Sequence, residues 1–277
     1  MSLTDTESAA LIDLVRAVAK REILPRFRRL APDEISSKSG PTDLVTEADI
    51  AAEAAIADGV ARLLPGANVV GEEGVAADPA RLDLVGRGRT VIVDPVDGTW
   101  NYARGLAVFG VIVAVVEEGE TVWGLLYDPV FDDWIVSHKD GGTWFARPGD
   151  APRRLTFAPG GAARSASGYM SLHLFARRRR SDLALTGLKT AGTRTLRCSC
   201  HEYRMLLTGA GDYMIAAKLK PWDHAAGVLA VQEAGGRAAL LDAAPYSPTR
   251  TEGPMLIARS PALWDELQPL WAPPLTA

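Results

Sequence analysis

Residues 90–105 read TVIVDPVDGTWNYARG, and the rest of the chain is organised around them. Val91, Ile92 and Val93 form a short apolar run of the kind that makes a buried strand. The run stops on Asp94-Pro95-Val96-Asp97-Gly98-Thr99, which puts paired carboxylates just past a strand end. Like charges about 4 Å apart repel by roughly 1 kcal/mol in bulk water and several-fold more when partly buried, so the pair is costly without a cation. Pro95 fixes its own φ and biases Asp94 towards an extended conformation, which predicts a rigid tight turn. Gly98 lets backbone approach a ligand, and the residues after it can open a helix whose free N–H groups receive an anion. Metal on one side and phosphate on the other is the expectation.

Composition bounds the alternatives. A chain of 277 residues makes one large domain or two modest ones with a sizeable core. Its 47% hydrophobic and 23% charged fractions are ordinary for a soluble protein, and a net charge of −4 with a pI near 5.7 gives no reason to expect nucleic-acid binding. No apolar run approaches the ~20 residues that span a bilayer. The N-terminal MSLTDTESAALIDLV lacks the basic and apolar regions of a secretory signal. Cys198 and Cys200 stand too close for an ordinary loop-closing disulfide, so a reduced, cytoplasmic enzyme without membrane contact is expected.

Thr4 and Glu7 have capping-box spacing, and Leu11, Leu14, Val15 and Val18 follow at helical spacing, predicting a helix over 6–24 that Pro25 ends. The polar stretch 36–41, carrying Lys38, reads as a turn; Thr46 and Asp49 cap a second helix over 47–64. Val69-Val70 predicts a strand ending on Gly71-Glu72-Glu73, the same strand-then-acids pattern as 90–105, followed by a loop over 76–88. Residues 108–146 read as an antiparallel meander. The Pro- and Gly-rich 148–152 divides an N-terminal half, 1–147, carrying the acidic motifs, from a C-terminal half, 148–277. Beyond it come helices near 201–207 and 225–234, a strand over 212–216, and a last helix opened by Ser260-Pro261. Strands mixed with helices, partly antiparallel, argue for an α+β fold.

Each acid has a plain alternative. Asp94 and Asp97 could be turn residues, Glu72 and Glu73 a solvated pair, and Asp223 beside Trp222 a helix cap. The combination points elsewhere: separate strand-to-turn junctions each place an acid at a tip, and an all-oxygen set suits a hard cation such as Mg²⁺.

With these motifs the chain resembles the inositol monophosphatase family. Asp94-Pro95-Val96-Asp97-Gly98-Thr99 with Asn101-Tyr102 is similar to its first signature, and Trp222-Asp223-His224-Ala225-Ala226-Gly227 to its second. Gly71-Glu72-Glu73, Lys38 and the run from Asp43 to Asp49 match its other motifs in order. The resemblance implies a layered α/β/α/β/α sandwich of the type shared with fructose-1,6-bisphosphatase. It implies that Glu72, Asp94 and the Val96 carbonyl hold one Mg²⁺, that Asp94, Asp97 and Asp223 hold a second, and that Glu72 reaches a third through water. Thr99 and Asp49, with Glu72, match the groups that position and deprotonate the attacking water; Gly98, Thr99, Asp97 and Lys38 match the phosphate side. The implied activity is Mg²⁺-dependent, lithium-sensitive hydrolysis of a small phosphorylated metabolite without a covalent intermediate, by a homodimer.

The chain departs from the inositol-hydrolysing members where the polyol lies. Their substrate-binding glutamate is replaced by Ala216, and their small-residue segment by residues 196–202, which bring in Arg197, His201 and Glu202. Losing a buried acceptor weakens selection for a hydroxyl-rich ring. Histidinol phosphate and a nucleoside 3′-phosphate stand beside inositol monophosphate as substrates. Cys198-Ser199-Cys200 reads as core packing, Arg177 to Arg180 as a solvated face, and His224 as either a substrate contact or a cap. A non-catalytic regulatory member and a metal-dependent nuclease are the rival functions; the complete acid set argues against the first, and the absence of a basic groove against the second.

Overall fold

The computed structural model describes residues 3–40, 43–158 and 160–276. Helix α1 (Asp5–Val18) starts at a capping box in which Thr4 and Glu7 satisfy each other's amides, and it ends in a π turn over Ala19–Ile23. A hairpin of β1 (Ile35–Gly40) and β2 (Asp43–Thr46) leads into α2 (Glu47–Leu63). Of the stretch expected to be a turn, the part up to Gly40 is thus strand, and Pro41 lies outside the described residues.

A seven-stranded sheet follows, its strands β3 (Asn68–Gly71), β4 (Arg89–Asp97), β5 (Gly110–Glu117), β6 (Glu120–Asp128), β7 (Asp133–His138), β8 (Gly142–Ala146) and β9 (Arg153–Leu155) adjacent in chain order. Only β3 and β4 are parallel; the rest is the expected meander. Helices α3 (Glu72–Ala77) and α4 (Thr99–Ala103) sit at the ends of β3 and β4. The second sheet has the order β11-β10-β12-β14-β13, from β10 (Ser167–Met170), β11 (Gly192–Arg194), β12 (Tyr213–Ala216), β13 (Arg237–Leu240) and β14 (Met255–Ala258). Helices α5 (Arg180–Gly187), α6 (Ser199–Leu207), α7 (Pro221–Glu233) and α8 (Pro261–Thr276) complete the chain.

Alternation along the strands sorts these elements into layers. Val91, Val93, Val111, Val113 and Val115 pack with α1 and α2 on one face of the large sheet. Ile92, Ile112, Ala114 and Val116 face the other way, onto α6, α7 and the inner side of the second sheet. The outer side of that sheet, with Tyr213, Ile215, Leu256 and Ala258, is covered by Leu183 of α5 and by Leu263, Leu267 and Trp271 of α8. The order helix, sheet, helix, sheet, helix is the layered α+β sandwich expected. Helix α7 approaches the large sheet so closely that a Cβ on Gly124 would lie 2.8 Å from the Cα of Ala226.

Three sequence expectations shift. Strand β9 pairs with β8 although it follows the 148–152 stretch, so the sheet assigned to the half 1–147 runs on to Leu155 and the handover to the second sheet falls between β9 and β10. Strand β4 does not stop at Asp94 but bulges between Asp94 and Asp97, the register slipping where Pro95 has no N–H to give. Helix α7 begins at Pro221, ahead of the predicted 225, because proline at the first helical position loses only a hydrogen bond it would not have made.

Candidate active site

Strand alternation places the first acid. Val91 and Val93 point to α1 and α2, so Asp94 points with Ile92 towards α7, whose first turn carries Asp223. Glu72 arrives from the start of α3. Oxygens of Glu72, Asp94 and Asp223 all lie within 4.8 Å of one another, and Asp94 Oδ1 is buried with no hydrogen-bond partner. Desolvation, then the charges of Glu72, Asp97 and Asp223, push the Asp94 carboxyl well above its ordinary range. Desolvation and Glu72 push Asp223 up to about 8. Such a cluster is stable only when protons or a cation offset the repulsion.

Asp97 stands slightly apart. Its Oδ2 accepts hydrogen bonds from the Cys200 amide at the start of α6 and, at 3.1 Å, from the Cys198 thiol. Burial raises its pKa, these donors oppose the rise, and the balance stands at about 6. Cys198 and Cys200 are free and buried, the core residues at a helix start that the sequence suggested. The Val96 carbonyl, at the bulge, accepts the Thr99 hydroxyl at 2.9 Å.

Thr99 Oγ1 also lies 3.1 Å from Asp49 Oδ1. The other oxygen of Asp49 closes the capping box of α2, taking the Thr46 hydroxyl at 2.5 Å and the Thr46 amide at 2.8 Å. Asp49 is 1% exposed, and burial pushes it up to about 7. A carboxylate titrating near neutrality and bonded to an active hydroxyl is suited to proton transfer. Gly98 caps α4 at φ 89° with room for no side chain: a Cβ would lie 2.9 Å from the Val108 carbonyl. The Gly98 and Thr99 N–H groups have no protein acceptor among the described residues.

Two expected substrate contacts do not reach the cavity of about 280 Å³ that these residues line. Lys38 is held against Glu73 at 2.6 Å and Glu72 at 3.1 Å, because a half-buried ammonium on β1 meets the acids of α3 before it meets open space. His201 turns from the cavity to put Nε2 3.0 Å from the Phe109 carbonyl, its position on α6 facing the large sheet. Arg197 and Ala216 do line the cavity. Glu202 lines it too, but its carboxylate binds the Leu196 amide at 2.7 Å and the Thr195 hydroxyl at 3.1 Å, fixing the loop before α6. His224 is buried between the Tyr203 hydroxyl and the Lys218 carbonyl, and burial lowers its pKa to about 4, so it is a neutral structural group. Arg179 and Arg180 are not a freely solvated pair: Arg179 donates to the Leu275 carbonyl, and Arg180 to the carbonyls of Phe175 and His173.

Sequence reasoning missed Lys220 and Glu53. Lys220 lies 3.3 Å from Glu72. Glu53 accepts the Glu73 and Gly74 amides at 2.8 and 2.7 Å and so anchors α3. The spacing of Glu53 one helical turn after Asp49 was the available signal.

Residues 4–268 match the inositol monophosphatase family. The chain belongs to that family. Family membership makes it a phosphatase among the hydrolases, of a metal-dependent kind that suits the acid cluster. It is 29% identical over 232 residues to the inositol-1-monophosphatase of Bacillus subtilis, covering 83% of each chain. It is 28% identical to the Nus factor SuhB of Escherichia coli, over 80% of this chain and 81% of that one. The fold is similar to 2′AMP-bound IMPase-II of Staphylococcus aureus, with a TM-score of 0.79 and 20% identity over 96% of this chain and 93% of that one. The same IMPase-II with inositol monophosphate bound gives a TM-score of 0.76 at 20% identity, over 94% and 92%.

Proposed function

We propose that the protein is a Mg²⁺-dependent phosphomonoesterase that hydrolyses a small phosphorylated metabolite by direct attack of water. The observation that carries this reading is the meeting of Glu72, Asp94 and Asp223, with a partnerless buried oxygen on Asp94, beside the Thr99–Asp49 pair. The donor set fits Mg²⁺: carboxylates from Glu72, Asp94, Asp97 and Asp223 and the carbonyl of Val96, with no nitrogen or sulfur ligand among them. When bound, such cations neutralise phosphate oxygens, acidify the attacking water and stabilise the leaving alkoxide. Thr99 orients that water through its hydroxyl and Asp49 takes the proton. The free Gly98 and Thr99 amides donate to the phosphate oxygens from the other side. Lys38 and Lys220 hold Glu72 in place.

The 2′AMP and the inositol monophosphate bound by the staphylococcal protein support a small phosphorylated substrate. Homodimer formation, inhibition by Li⁺ and a cytoplasmic location belong to the same reading. Among the described residues no helix is long and apolar enough to cross a membrane. A second reading, a regulatory partner-binding role, is favoured by the likeness to SuhB. A phosphate-release screen separates the two. Inositol phosphates, histidinol phosphate, sugar phosphates and adenosine 3′,5′-bisphosphate are incubated with the purified protein in Mg²⁺ and in chelator. Release from at least one compound, abolished by chelation, is expected; no release from any of them overturns the phosphatase reading.

A further inference from the structure

The cavity carries a basic cluster as well as its acids. Arg197, Lys218 and His173 line it together with Ala216, which offers no side-chain acceptor for a hydroxyl. Among the described residues neither Arg197 nor Lys218 forms an ion pair. His173 is close enough to both that, after desolvation, their charges lower its pKa. Glu202, which also lines the cavity, is occupied by the Leu196 amide and the Thr195 hydroxyl.

Arg197 is built into its place. It has φ 53°, a left-handed conformation that is unfavourable for a non-glycine residue and persists only where its surroundings impose it. The imposition is visible: Thr195 Oγ1 accepts the Arg197 amide at 3.0 Å and bonds Ser171 at 2.8 Å, while Asn101 donates to the Leu196 carbonyl at 2.7 Å. The guanidinium then lies over the Trp100 ring with its carbon 4.1 Å from the ring centre. Arg197 lines the cavity, and a guanidinium held through its face by a ring keeps its edge donors available to grip phosphate or carboxylate in pairs.

We propose that Arg197, Lys218 and His173 form an anion subsite for a second acidic group, phosphate or carboxylate, on the part of the substrate that is not transferred. This rests on the phosphatase reading above and narrows its substrate to a phosphomonoester bearing a further anion. A neutral polyol finds no acceptor at Ala216, and an amino-alcohol phosphate brings its ammonium against three basic side chains.

Matched pairs of compounds test it: adenosine 2′-monophosphate against adenosine 2′,5′-bisphosphate, and glycerol 2-phosphate against 2-phosphoglycerate. The second anion is expected to raise kcat/KM about tenfold or more, mainly through KM, in the phosphate pair, the carboxylate pair or both, which tells the two anions apart. The ratio should narrow in high salt, fall towards unity in Arg197→Gln with Lys218→Gln, and recover in part in Arg197→Lys. A ratio near unity in both pairs for the native protein, or one that the double variant does not change, overturns the subsite and leaves the phosphatase reading intact. If nothing is turned over, calorimetric titration with the two adenosine compounds reads the subsite alone. A tenfold preference for the bisphosphate that Arg197→Gln removes supports it although the phosphatase reading has failed; equal affinities overturn it.

Discussion

Asp94 and Asp97 sit on the same bulge of β4, yet their partners give different consequences for stability. Asp94 has a buried oxygen with no partner, whereas Asp97 receives donors from the start of α6. In chelator at pH 8, Asp94→Asn should therefore stabilise the fold, since a carboxyl whose pKa is raised by folding costs free energy once the pH passes its unfolded pKa. Asp97→Ala should gain about 1–2 kcal/mol less than removal of its charge alone would give, because the cap of α6 goes with the carboxylate. Urea melts of Asp94→Asn, Asp97→Asn and Asp97→Ala check the order. Asp49, with its pKa raised to about 7, governs the acid limb of the rate profile in the proposed mechanism. At saturating Mg²⁺, Asp49→Asn should lower kcat by about 10²–10⁴-fold and flatten that limb near neutrality. At this scale the acids were legible because each stands at a strand or helix tip in sequence. Lys220 and Glu53 were not, because what they touch, Glu72 and the α3 amides, lies far away along the chain.

At the scale of elements, the site depends on how strands end. A bulge at Pro95 turns β4 without breaking it, and Gly98 then starts α4 in the left-handed region against the Val108 carbonyl. Gly98→Ala meets both backbone strain and a contact with main chain that cannot move aside, so a loss of about 1–3 kcal/mol in a denaturant melt is expected, with phosphate release falling alongside. The sequence marked the strand, the acids and the glycine, but a tight turn and a bulge share the residues Asp-Pro and Asp-Gly. Only pairing with β5 decides between them. The same holds for α7, whose start at Pro221 brings Asp223 into the first turn, and for the 195–197 loop, which depends on a buried carboxylate from α6.

For the whole molecule, layers bring acids from α2, α3, β4 and α7 to one end of the large sheet. Asp49, Asp94, Asp97 and Asp223 all have pKa values raised above the ordinary 3.8. Between about pH 4 and pH 8 the folded chain retains protons that the unfolded chain has released, so these groups make the metal-free fold less stable as pH rises. A cation replaces those protons, so the stabilisation by Mg²⁺ should grow from pH 5 to pH 8. At a hundredfold excess over its dissociation constant, the melting temperature at pH 8 should rise by about 5–10 °C. A shift independent of pH would show that the cation binds elsewhere. The layer order was legible from strand and helix patterning, while the basic cluster in the cavity was not, since Arg197, Lys218 and His173 come from three separate segments. The central claim is that Glu72, Asp94 and Asp223 together hold a divalent cation. Crystals soaked in Mn²⁺ and measured for its anomalous signal test it most directly. The account predicts a peak within coordination distance of all three carboxylates, absent in Asp94→Asn; no peak there at a Mn²⁺ concentration that supports phosphate release would contradict it.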